Sequence, residues 1–134
     1  MQLCIKTRRW LMWAGIKISI AWLIYTYAVI GGRKSGLSAK YLVAFALGFL
    51  LDFWGTYEMY LLAGQEIVVD FHSLTGIASL LGMGLHAALA LAVSVFASQK
   101  ADQAFHKVSI WIYTLWCLAY FSGLIFHLAS ITGD

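Results

Sequence analysis

The chain has 134 residues, of which 62% are hydrophobic, 16% aromatic and only 11% charged. Soluble domains carry roughly 25% charged residues, and disordered chains carry more charge and fewer aromatics than this. Both classes are excluded, and the length allows a single domain.

A membrane-spanning helix needs about 20 apolar residues, so four such helices use most of the chain. The charges punctuate it accordingly: Lys6, Arg8 and Arg9, then Arg33, Lys34 and Lys40, then Glu66 and Asp70, then Lys100, Asp102 and Lys107, and finally Asp134. Between them the apolar runs predict spans at about 12–31, 41–64, 71–98 and 108–130. No proline interrupts any of them. The expectation is an all-α integral membrane protein, a four-helix bundle forming one transmembrane domain over 1–134. The basic start ahead of an apolar stretch has the look of a secretory signal, but Lys17 within the stretch and the lack of a small-x-small site after it favour a retained helix. Translation from Met12 would remove the basic start. Cys4 and Cys117 fall at different depths, so neither a disulfide nor a C-x-x-C site is expected.

Basic residues in the first and third loops number five, against three at the N-terminus. The excess favours cytoplasmic first and third loops with both termini outside. With a net charge of only +3, the basic residues read as topology signals and lipid headgroup contacts, and no nucleic-acid partner is expected. No phosphate loop, nucleophile or close carboxylate pair marks an enzyme.

Helical phase decides which polar side chains can meet. In the second span Gly48, Asp52, Gly55, Thr56, Met59 and Ala63 share a face from which Glu58 points away. In the third, His72, Thr75, Gly76, Ser79, Met83 and His86 do so, and in the fourth His106, Ser109, Tyr113, Cys117, Tyr120 and His127, with Trp111 and Trp116 off the stripe. Polar stripes in lipid must look inward, and charges within spans are functional candidates by default. Three charged residues qualify: Lys17, Asp52 and Glu58.

Four histidines, at 72, 86, 106 and 127, in or beside spans suggest haem. Neutral imidazole is a common axial ligand of haem iron, and a bundle interior offers the apolar slot a porphyrin needs. His72 and His86 are about 21 Å apart along one helix. A loop centred near residue 67 sets Asp52 within about one turn of His86, as its orienting carboxylate or proton partner. Lys17 reaches the same depth, where it either joins that site or forms a packing ion pair with Asp52. A last loop centred near residue 102 puts His127 within about 9 Å axially of His72 and separates His86 from His106 by about 20 Å. At most one bis-histidine site, His72 with His127, then nearly fits after a register shift; otherwise His86 binds iron alone or with a non-histidine group such as Met59 or Tyr120. A histidine near a span end can also simply meet headgroups or cap a helix. Zinc, with three convergent ligands, fits this spread poorly.

Asp52-Phe-Trp-Gly55-Thr56-Tyr-Glu-Met59, Asp70-Phe71-His72-Ser-Leu-Thr75-Gly76, His86-Ala87, Phe105-His106-Lys107-Val-Ser109 and Tyr120-Phe-Ser122-Gly123 follow one another over about residues 14–126. This series resembles the HsmA family of small bacterial membrane proteins. The positions that match are Asp52, Gly55, Thr56, Met59, His72, Thr75, Gly76, His86, His106 and Lys107, whereas Ala119 stands where the pattern has proline. The resemblance implies a four-helix protein of the bacterial inner membrane that binds haem b and acts in haem sensing, sequestration or protection from haem and oxidative stress.

Two other functions compete. A b-type cytochrome-like electron-transfer subunit needs paired histidines at matched levels. A small proton-coupled transporter would use Lys17, Asp52, Glu58 and His86 as a relay, although transporters are often built from repeats that are absent here. Gly84, Ala88 and Ala92 form a small-residue stripe that permits a homodimer. The reading adopted is a non-enzymatic haem-binding membrane protein whose partners are the bilayer and haem.

Overall fold

The computed structural model describes residues 2–66, 69–96 and 98–132, with side chains over 6–66, 69–96 and 98–129. Met1, Asp134 and the side chain of Cys4 lie outside it, as does residue 97 of the expected third span. The described chain is all-α: α1 (Gln2–Ser35), α2 (Ala39–Leu62), α3 (Phe71–Phe96) and α4 (Gln99–Thr132). Each helix contains a stretch long and apolar enough to cross a membrane, so this is a multi-pass membrane protein. The helices pair as two compact hairpins, α1–α2 and α3–α4.

Two boundaries differ from expectation for one reason. Lys6, Arg8 and Arg9, like Lys100, Asp102 and Lys107, lie on helix rather than loop, so α1 and α4 begin well before residues 12 and 108. Charge clusters mark where a chain leaves lipid, and a helix continues past that point wherever its backbone keeps bonding to itself. The α3–α4 connection therefore falls between Phe96 and Gln99, not near residue 102.

Each hairpin is stitched by a seam at alternating spacings of three and four. In the first, Ala14, Ala21, Tyr25 and Ala28 of α1 meet Tyr41, Phe45, Gly48, Asp52 and Gly55 of α2, all buried. In the second, Ser79, Met83, His86 and Ala90 of α3 meet Phe105, Ser109, Trp116 and Ala119 of α4. The seams are rich in small and polar residues, while the outward faces carry large apolar ones such as Leu81 and Trp111, 70% and 76% exposed. A soluble protein does the reverse. In lipid the outer face needs no shielding, and helices associate by close backbone approach and internal hydrogen bonds. Ser19, Thr26 and Thr114 accordingly turn their hydroxyls back onto carbonyls of their own helices, at Gly15, Trp22 and Ile110.

The turns use familiar chemistry. Gly64 takes φ +79° just after the C-cap of α2, with Gly64 N–H bonding to Leu61 O and Gln65 N–H to Tyr60 O, a Schellman closure. Asp70 caps α3, its Oδ1 accepting from Ser73 N–H at 2.7 Å.

Candidate functional site

The first hairpin holds two polar centres at different depths. Tyr25, fully buried, rests on Gly48 and donates to Asp52 Oδ2 across a long 3.5 Å contact; Asp52 is 3% exposed. Tyr25 lies about 15 Å and Asp52 about 20 Å along their helices from the turn, which is mid-membrane for a core of about 30 Å. Lys17 does not join them. Its Nζ pairs with Glu58 Oε1 at 2.5 Å, lies 4.8 Å from the centroid of the Trp54 ring, and shares that oxygen with the Trp54 indole N–H at 2.8 Å.

This corrects two expectations: Lys17 is the partner of Glu58 rather than Asp52, and Glu58 faces α1. Both residues lie about 27 Å from the turn that carries Arg33, Lys34 and Lys40, about one hydrocarbon thickness away. The pair therefore sits where a membrane boundary falls, and its side chains are 25% and 17% exposed. Lys17 is level with Glu58 across the hairpin, a depth that helical phase alone does not reveal.

The second hairpin gathers the histidine chemistry. His86 is 1% exposed and its imidazole centroid is 4.9 Å from that of Phe105. The Phe105 ring also meets the neighbouring His106, at 5.4 Å, and Asp102 Oδ1 lies 3.4 Å from His106 Nε2, one turn away. A cavity of about 260 Å³ opens beside His86, walled by Leu89, Val93, Ala104, Phe105, Val108, Ser109 and Ile112. The expected axial gap of about 20 Å between His86 and His106 is thus overturned: with the turn between Phe96 and Gln99, His86 comes level with Ser109 and His106 follows within about one turn.

The remaining expected residues disperse. His72 Nδ1 is 3.2 Å from Ser122 Oγ, and its ring lies against Gly123, about one turn before His127, which is exposed. The Thr75 hydroxyl donates to Phe71 O and is 3.1 Å from His72 O, so it serves its own helix. A side chain at Gly76 would meet nothing within 4 Å. Tyr120 stacks on Trp116 at 5.5 Å, and Trp116, expected off the inward stripe, is 3% exposed on the α3 side. Tyr113, Thr56 and Met59 are half-buried. Outside the spans, the Ser73 N–H bond holds the Asp70 carboxyl below the ordinary carboxylate range.

Phase arguments that followed polar residues missed Tyr25, Phe105 and Trp116. The signal that finds them is three-four spacing: 21, 25 and 28 of α1 in step with 41, 45, 48 and 52 of α2, and 105, 109, 112, 116 and 119 of α4 in step with 79, 83, 86 and 90 of α3. Among the described residues no three His, Cys, Asp or Glu side chains converge. The arrangement puts one imidazole, that of His86, beside an apolar cavity. No protein-family model, no curated protein and no solved structure matches the chain.

Proposed function

We propose that this chain is a haem-binding protein of the bacterial inner membrane, using His86 as an axial ligand, and that it sequesters or senses haem as the HsmA-like sequence blocks imply. The observation that carries the reading is the buried His86 imidazole beside an apolar cavity of about 260 Å³ between α3 and α4. Neutral imidazole is a common axial ligand of haem iron, and an apolar cavity beside it suits a porphyrin.

The residues suit the group. Leu89, Val93, Val108 and Ile112 keep water from the ring, and Ala104 leaves room for a flat body to approach the α4 backbone. Cofactor pockets typically span about 300–1,000 Å³, so this cavity lies just below that range and must widen on binding. Phe105 is the largest side chain that lines it. When bound, haem supplies a redox-active iron and a strong visible absorption. The chain's own part is to orient the His86 nitrogen, exclude water and hold the ring away from lipid, which is what sequestration requires.

The test is an optical titration of haem into the detergent-purified full chain, with His72, His86, His106 and His127 each changed to alanine. The expected result is a saturable Soret band at one haem per chain that His86→Ala abolishes. Absence of a stoichiometric band, or a band indifferent to His86, would overturn the proposal.

A further inference from the structure

His86 and His106 come from different helices, yet both imidazoles contact the same phenyl ring. Their centroids are 4.9 Å and 5.4 Å from that of Phe105, and their planes stand at 56° and 68° to it. Phe105 is 6% exposed, so its ring fills a space on which two nitrogen ligands border within one hairpin. One turn before His106 on the same helix, Asp102 Oδ1 lies 3.4 Å from His106 Nε2. A carboxylate there is placed to accept a proton carried on Nε2, which would leave the lone pair on Nδ1, the arrangement by which metal-binding histidines are oriented.

We propose that His86 and His106 together ligate a single haem iron, with Phe105 as a wedge that the cofactor displaces and Asp102 as the positioning residue of His106. This rests on the haem reading above and adds the ligand pair, the gate and the carboxylate. The two ligands differ in access: the His106 side chain is 17% exposed, whereas His86 is 1% exposed. His106 is therefore the imidazole an incoming cofactor meets first, and His86 the one that holds it at depth. Metal–imidazole bonds of about 2 Å are shorter than the present spacings, so the two rings close as the wedge leaves.

The experiment uses the full chain in detergent, with haem as the probe, read by optical and electron paramagnetic resonance spectra. Wild type is expected to give a six-coordinate low-spin ferric spectrum. His106→Ala should still bind one haem but become five-coordinate and high-spin, with added imidazole restoring the low-spin form. Should His106→Ala not fold, His106→Met is read instead, expected to replace the bis-imidazole signature with a histidine–methionine one. Phe105→Ala, which removes the wedge, should raise apparent affinity by about tenfold if the displaced state is populated at about one part in ten. Asp102→Asn should stay low-spin but bind on the order of tenfold more weakly. In the haem-free protein, nitrogen NMR should find His106 protonated on Nε2 and not on Nδ1.

A low-spin spectrum unchanged by His106→Ala would overturn the ligand pair and leave the haem reading intact. Unchanged haem affinity in Phe105→Ala would overturn the wedge. If wild type itself shows no stoichiometric band, the haem reading falls and the pair with it.

Discussion

The ring of Tyr25 lies so close to the backbone of Gly48 that a Cβ built there would approach a ring carbon to 2.7 Å. Tyr25 is fully buried and its hydroxyl reaches the mid-membrane Asp52, so the ring has no free end with which to yield. Gly48→Ala should therefore cost about 1–3 kcal/mol through overpacking. Gly15, in the partner helix, meets nothing within 4 Å, and Gly15→Ala should be neutral or stabilising by about 0.5–1 kcal/mol through helix propensity. Thermal unfolding in detergent separates them. Equal midpoints for the two variants would mean that Gly48 is not a seat for Tyr25.

Lys17 and Glu58 make a second tie between α1 and α2, at the membrane boundary. Exposed pairs contribute about 0.2–1 kcal/mol, and breaking a buried pair costs about 3–5 kcal/mol. With side chains 25% and 17% exposed, the loss from Lys17→Met or Glu58→Gln alone should fall between, at about 1–2 kcal/mol. The double variant should recover most of it, because no uncompensated charge remains. Pairing Lys17→Met with Asp52→Asn should recover nothing, since Asp52 belongs to Tyr25. Rescue by Asp52→Asn rather than Glu58→Gln, measured by the fraction folded after purification, would reverse the assignment.

These ties mark the boundary of what the sequence makes legible. Helix number and class follow from composition, because nothing else satisfies so many backbone groups in lipid. The face of α3 is legible too: Ser79, Met83 and His86 share the phase that the structure buries. Register between helices is not, because it depends on where a turn falls. Lys100, Asp102 and Lys107 resemble loop residues yet occupy the first turns of α4. A slip of about five residues in the turn centre doubles across a hairpin, which is why a turn expected near residue 102 sets His86 and His106 far apart. Lys17 illustrates a different limit. Its long stem lets it choose between carboxylates about one and a half turns apart on α2, and depth rather than phase decides.

His72 rests against Gly123 and its Nδ1 is 3.2 Å from Ser122 Oγ, which fixes the outer end of the α3–α4 seam. A methyl at Gly123 would overlap the imidazole, so Gly123→Ala should cost about 1–3 kcal/mol and shift the His72 ring resonances. Ser122→Ala removes one hydrogen bond and should cost about 0.5–1.5 kcal/mol. Neither should alter the haem spectrum, because His72 lies about 21 Å from His86 along α3. A spectrum lost in Gly123→Ala while unfolding stays cooperative would move the cofactor to this end of the hairpin.

Asp70 links the start of α3 to pH. Its carboxylate accepts the Ser73 N–H at 2.7 Å, and that bond holds its pKa below the ordinary value of 3.8. A folded-state value below the unfolded one means that the cap's contribution is fully present above the ordinary carboxylate range. It is lost as pH falls through the lowered value, where the proton displaces the N–H bond. Amide exchange at residues 71–75 should therefore accelerate, relative to intrinsic rates, on acidification below that range. Asp70→Asn, which still accepts through its side-chain oxygen, should keep the protection and abolish the pH dependence, while Asp70→Ala should lose protection at every pH. An acid-induced loss that persists in Asp70→Asn would assign it to another group, leaving Asp70 a cap without a titration.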